Sequence, residues 1–307
     1  MHWNLARACG YLLIGLAVHP AFSQSLFEGH TDIGFVLHPG AVDFDPAAKS
    51  YKVTGSGENM WFAIDDFHFV WKKVSAANLS LAADIAILGT EGDHHRKAVL
   101  MIRQSLDGDA AYADAAVHGD GLTSLQFRET KGAATHEVES SESGPRRLRI
   151  EKRGDDFYLH LGSWFAGGSA HVVLKAPFYV GIGVCAHNKD AIQQAAFTNV
   201  ELTEGDLYST LETISISSTD ARVSYVTRDH IEAPEYTPDG ASLVFHAGTS
   251  MQRVPVAGGA PVAVPPLEEK APSTRISPDG KWLAATVDTG EGMVLSVVSV
   301  ADGTMKV

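Results

Sequence analysis

Residues 111–132 read AYADAAVHGDGLTSLQFRETKG. Two short runs of alternating character, Tyr112–Gly119 and Leu122–Glu129, flank the turn His118-Gly119-Asp120-Gly121. Alternation with a period of two describes strands, and the Gly and Asp residues between them close a tight connection, so the stretch is an antiparallel hairpin. Along it Tyr112, Asp114 and His118 share one face, while Ser124, Gln126 and Arg128 form a row opposite Leu125 and Phe127.

The same grammar extends in both directions. Lys97–Gln104, Arg146–Arg153, Asp156–Gly162, Phe178–His187 and Ala195–Leu202 are further strand candidates, separated by Gly, Asp and Asn turns such as Arg153-Gly154-Asp155-Asp156. Helical periodicity is nearly absent. Seven strands at this density predict a sandwich or a barrel.

Five blocks, in order, resemble the concanavalin A-like jelly-roll domain that bacteria fuse to exported modular proteins. They are GENMWFAIDDFHFVWKKVS (57–75), HRKAVLMIRQSLD (95–107), the opening hairpin, PRRLRIEKRGDDFYLHL (145–161) and PFYVGIGVCAHNKD (177–190). The resemblance spans roughly Phe27 to Leu202 and implies two antiparallel sheets face to face. Lectins, carbohydrate-binding modules and some glycosidases share that fold, so it leaves the activity open.

The first residues carry one Arg (Arg7), an apolar run from Gly10 to Val18, and the small-x-small site Ala21-Phe22-Ser23. This pattern predicts a signal peptide over 1–23, export to the periplasm or beyond, and no membrane span after cleavage. Cys185 is then the only cysteine, so no intramolecular disulfide supports the exported chain, and its setting among small apolar residues predicts an inert buried thiol. The formal net charge of -13 argues against a nucleic-acid partner.

Beyond residue 204 the text changes. Residues 205–221 are polar and read as a linker that turns into a first strand, ARVSYV. Then PEYTPDGASLVF (234–245) is echoed by RISPDGKWLAAT (275–286), and each copy has a Pro-Asp-Gly turn, an alternating strand and a second strand. A period of ~40–45 residues suits propeller blades, and the pattern resembles the TolB-type repeat. Residues 222–307 thus predict a partial propeller of about two blades. The expected fold class is all-β, a concanavalin A-like sandwich over 24–204 followed by that partial propeller.

Catalytic templates fit poorly. There is no Glu-x-Asp-x-x-Glu strand, no Gly-x-Ser-x-Gly elbow and no phosphate loop. The adjacent His94 and His95 lack a second ligand pair, and the acidic turns GDHH, DGDAAYAD and HGDG lack a calcium-loop register. No cofactor is assigned, with Ca²⁺ the one weighed. What remains is a polar face: Arg103, Asp114, His118, Gln126, Arg128 and His187 as ligand-binding residues, with Trp61, Trp71 or Trp164 available to stack on a sugar. The plainer alternative for such alternation is the solvated outer face of a sandwich.

The expected function is an exported, noncatalytic binding protein. Its sandwich would recognise a glycan or cell-envelope component, and the propeller portion would hold a protein partner. The rival is a glycoside hydrolase or lyase whose carboxylates come from separate strands, such as Asp66, Asp114 or Glu129. A third option makes the sandwich a spacer for the propeller.

Overall fold

A computed structural model of the chain describes residues 25–144, 146–162, 165–218, 220–248, 250–264, 274–288, 293–300 and 304–306. The expected signal peptide and Trp164 lie outside the described residues. Among the described residues every regular element is a strand, and no helix is long and apolar enough to cross a membrane.

Two seven-stranded antiparallel sheets make up most of the chain. The first has, from edge to edge, β1 (Gly29–Ile33), β6 (Phe67–Val74), β15 (Phe178–Cys185), β8 (Lys97–Arg103), β9 (Tyr112–His118), β10 (Thr123–Arg128) and β11 (His136–Glu139). The second has β14 (Phe165–His171), β13 (Asp156–Leu161), β12 (Arg147–Arg153), β7 (Asn78–Leu88), β16 (Asn188–Glu204), β3 (Ser50–Gly57) and β2 (Ala41–Asp45). Alternate residues of the two sheets meet in one core: Val70, Leu100, Ile102, Ala115, Leu125 and Ile182 face Val53, Leu81, Ile150, Phe157 and Phe197. Burying each large apolar side chain contributes ~1.5–3 kcal/mol, which is how a β-sandwich holds without a cross-link; Cys185 is free and buried.

The outer face of the first sheet is not solvated, contrary to the default for alternating strands. Every residue of β8 and β9 is buried, because a second apolar cluster of Ile33, Met60, Phe67, Phe69, Val99, Met101, Tyr112 and Cys185 covers that face. The small hairpin of β4 (Met60–Trp61) and β5 (Ile64–Asp65) folds down onto it. Two glycines of β15 make room: a Cβ on Gly181 would lie 2.0 Å from the Val70 carbonyl, and one on Gly183 would lie 2.8 Å from the Phe67 ring.

After residue 204 the described residues form three smaller sheets. One pairs β17 (Ser209–Ile214) with β18 (Ala221–Thr227), so a strand lies where the sequence reads as polar linker. The second runs β19 (Ile231–Tyr236), β20 (Ser242–Ala247), β21 (Ser250–Pro255), β22 (Val262–Ala263), and the third runs β23 (Thr274–Ile276), β24 (Trp282–Asp288), β25 (Met293–Ser299), β26 (Met305–Lys306). The repeated turns close in the same way. The Thr237 hydroxyl donates to Asp239 Oδ1 at 2.6 Å and accepts from Ser242 N–H at 3.0 Å, and Ser277 does the same toward Asp279 and Trp282 at 2.6 and 3.0 Å. Gly240 and Gly280 sit at φ 69° and 70°, a region open to glycine at little cost.

Candidate functional site

Sheet register assembles the polar face row by row. Lys97 of β8 lies opposite His118 of β9 and Cys185 of β15. Two residues along, Ser124, Ala116, Val99 and Gly183 form the next row. The third row runs Glu137, Gln126, Asp114, Met101, Gly181. The fourth runs Arg128, Tyr112, Arg103, Tyr179.

The fourth row is a clamp. Arg128 donates through Nη2 to Asp65 Oδ1 at 2.7 Å and through Nη1 to Oδ2 at 2.9 Å, and Arg103 Nη2 approaches Oδ2 at 3.4 Å. Other guanidinium donors reach backbone carbonyls, Phe62 and Ala110 from Arg128, and Ser105 and Asp107 from Arg103, while Arg103 Nη1 meets the Met101 sulfur at 3.8 Å. All three side chains are fully buried. Five fixed donors suit Arg to gathering several carbonyls at once, and here they pin the segment that carries Trp61 and Phe62. Burial works against the charge on Arg128, but the hydrogen bond and the negative charge of Asp65 together outweigh it and hold the guanidinium in its charged form.

Beside the clamp, the first and third rows open into a cavity of about 480 Å³, whose lining includes Trp61, Phe62, His95, Lys97, His118, Gln126, Glu137 and His187. That volume falls within the roughly 300–1,000 Å³ typical of small-molecule sites. Gln126 is the hub of its floor. Its Oε1 accepts from Lys97 Nζ at 3.4 Å, and its Nε2 faces His118 Nε2 at 3.3 Å and Glu137 Oε2 at 3.5 Å. Since the amide nitrogen donates, His118 Nε2 accepts and the ring proton sits on Nδ1, a tautomer assigned from the network. Burial, with Lys97 adding to it, pushes His118 down to about 3, so the ring is neutral at ordinary pH. Its buried Nδ1 finds no partner among the described residues, nor does Nδ1 of His187.

Burial also lowers Lys97, which is 2% exposed with its amine 5.8 Å from the Trp61 ring. Asp114, beneath the floor, is pushed well above its ordinary value by burial, and neither carboxyl oxygen has a partner among the described residues. Burial raises the Cys185 thiol to about 11.

Of the six residues singled out from sequence, His118, Gln126 and His187 line the cavity. Arg103 and Arg128 do not; their donors are spent on Asp65 and the neighbouring loops. Asp114 lies between Gln126 and Met101 in register, under the lining. Lys97 and Glu137 are not among those six, although the i, i+2 alternation of Lys97 with Arg103 and the pairing of β11 with β10 place both at the site. Trp61 lines the cavity, whereas Trp71 packs edge-on against Tyr179 at 5.3 Å. His95 sits at one end, its ring 5.3 Å from His187 and 5.8 Å from His118.

The acids named for a hydrolase take three different positions. Asp66 lines the cavity and accepts from Phe35 N–H at 2.7 Å, Asp114 lies beneath it, and Glu129 is exposed. The acidic turns use their carboxylates locally. Asp107 and Asp109 meet Lys131 at 2.7 and 3.3 Å, Asp93 accepts from His95 N–H, and Asp120 accepts from Leu122 N–H.

No family model and no curated protein matches this chain. Among solved structures it is similar to a functionally unknown protein from Saccharomyces cerevisiae, with 14% identity over 54% of this chain and 92% of that one and a TM-score of 0.43. It is similar to the carbohydrate-binding module CBM66 from Bacillus subtilis, with 18% identity over 59% and 98% and a TM-score of 0.41. It is also similar to a Bacillus licheniformis beta-glucanase, with 9% identity over 57% and 92% and a TM-score of 0.39. Similarity at this level carries no conclusion about what the present chain does.

Proposed function

We propose that the sandwich is a noncatalytic carbohydrate-binding module whose ligand enters the cavity beside Trp61. The observation that carries this reading is the floor itself: three buried hydrogen-bonding side chains, Lys97, His118 and Gln126, converge in a 480 Å³ cavity walled by an indole. Sugars present hydroxyls around a ring with apolar faces, and this lining offers both halves of that match. Gln126 and Lys97 offer planar and point donors, and His118 Nδ1–H is a donor still without a partner. Trp61 supplies the flat apolar surface. Because Arg103 and Arg128 already satisfy Asp65, the clamp serves to hold that wall in place, which is preorganisation of the site.

The same reading divides the chain into an export signal (1–23), the sandwich (24–204), a connecting stretch (205–221) and a partial TolB-like propeller (222–307) that offers a surface to a protein partner outside the cytoplasm. The identical hydrogen bonding of the two Pro-Asp-Gly turns supports the repeat.

Calorimetric titration of the chain with a panel of soluble polysaccharides and oligosaccharides tests the binding role. Saturable binding that W61A and Q126A both weaken is the expected result. No binding across the panel, or binding indifferent to both substitutions, would discard it.

A further inference from the structure

The opposite sheet carries a second constellation, far from the cavity in the topology. On the outer face of β12 and β13, Glu151 lies opposite Tyr158 and one step diagonally from His160. His230, just before β19 and thus beyond the sandwich, lies over them. Its ring stacks on Tyr158 with centroids 3.8 Å apart and meets the His160 ring at 5.2 Å. One ligand atom from each of Glu151, His160 and His230 lies within 4.8 Å of the other two. Their side chains are 4%, 14% and 6% exposed.

We infer that Glu151, His160 and His230 form a binding site for a divalent transition-metal ion of the zinc class, which ties the sheets beyond residue 204 to the sandwich. The chemistry of the donors supports it: two imidazoles and a carboxylate are the donor types zinc takes in sites that keep a fourth position open. His160 Nε2 is buried and makes no hydrogen bond among the described residues, although Glu151 Oε2 is 3.0 Å away. It is therefore a ring nitrogen beside the carboxylate with no hydrogen bond committing it. A tetrahedral zinc ion takes its donors at ~2.0–2.2 Å, which sets them roughly 3.3–3.6 Å apart, so atoms that now lie within 4.8 Å of one another would draw in by about 1 Å. Glu232 Oε1, 3.4 Å from His230 Nε2, stands ready as a fourth donor or as an orienting partner for that ring.

Arg153 is the opposing element. Its Nε donates to Glu151 Oε1 at 2.6 Å, and its Nη2 reaches Ser209 Oγ at 3.1 Å. That bond occupies one carboxylate oxygen and leaves Oε2 for the metal. The ligand set spans two parts of the chain joined by residues 205–229, so an ion here would link them as a cross-link does.

The test is titration of the EDTA-stripped, dialysed full chain with Zn²⁺ by calorimetry, repeated with Co²⁺ by visible absorption. The expected result is one equivalent bound with a micromolar or lower Kd, and a cobalt spectrum of low-coordinate intensity. His230→Ala and His160→Ala should each weaken binding at least tenfold, while His136→Ala leaves it unchanged. Since His230→Ala also removes a ring stack, His230→Cys guards against a folding artefact: it should restore binding and add a thiolate-to-cobalt band. Absence of stoichiometric binding by the wild-type chain overturns the site, as does binding that survives both His→Ala substitutions. Zinc should also slow proteolysis within residues 205–229, and cleavage at an unchanged rate would overturn the linking role.

Discussion

Arg128 and Asp65, 63 residues apart, meet through two parallel hydrogen bonds of 2.7 and 2.9 Å with neither side chain exposed. The pair joins the outer face of β10 to the hairpin that bears Trp61. It is the support on which the cavity wall stands, and its loss strands two buried guanidiniums. Asp65→Ala should therefore destabilise the fold by ~3–5 kcal/mol, the usual cost of leaving a buried charge unpartnered. The midpoint of urea denaturation at neutral pH reads this directly. A shift corresponding to under ~1 kcal/mol would show that the clamp is not structural.

The cavity itself predicts a separation between stability and binding. Trp61→Ala removes the partly exposed indole at the rim while the clamp stays intact, so ligand affinity should drop at least tenfold, about 1.4 kcal/mol, with less effect on stability than Asp65→Ala. Parallel calorimetry and thermal melting of the two variants check the contrast.

Acid sensitivity should begin at an unusually high pH. The unfolded chain protonates His118 below about 6.5, whereas burial keeps the folded ring neutral down to about 3. The unfolded state therefore binds more protons across this window, and stability falls as pH falls, by up to ~1.4 kcal/mol per unit. His118→Asn should make the profile shallower between those values in urea melts at successive pH, with the other buried histidines, His68, His160, His187 and His246, keeping the remaining slope.

Glu151 acts lower on the same axis. Its folded value of about 2 against an ordinary 4.5 means that its contribution is fully present above about 4.5 and is lost as pH falls toward 2. Melts in EDTA should show Glu151→Gln flattening only this lower window and leaving the His118 limb untouched.

Gly183→Ala places a methyl group 2.8 Å from the Phe67 ring and 3.2 Å from the His68 carbonyl. Overpacking of this kind costs ~1–3 kcal/mol, and because Phe67 belongs to the cluster under the cavity, loss of ligand affinity should accompany the lower melting temperature.

Local chemistry made the strands legible. The alternation in Lys97–Arg103, Tyr112–His118 and Thr123–Arg128 requires opposite faces, since successive strand side chains point to opposite sides, and the two Pro-Asp-Gly turns announce their own hydrogen bonding. From the alternation alone Lys97, Asp114, His118 and Gln126 could be placed on one face of their strands. The strand Ser209–Ile214 was hidden for the converse reason: its composition is polar, and its pairing partner lies across a turn that carries no apolar signal.

What one strand cannot say is what lies over it. The face of β8–β10 is buried only because residues 58–66 return from a distant part of the chain and cap it, which converts Arg103 and Arg128 from candidate ligand contacts into supports for Trp61. Likewise Glu151, His160 and His230 come from two strands and a later connection, with no spacing that sequence periodicity could detect. The sequence by itself determined which side chains share a face, because that follows from the two-residue repeat of the extended backbone. Only the tertiary structure decided which faces are covered, which charges are paired and where a cavity stays open, because these depend on segments brought together across long stretches of chain.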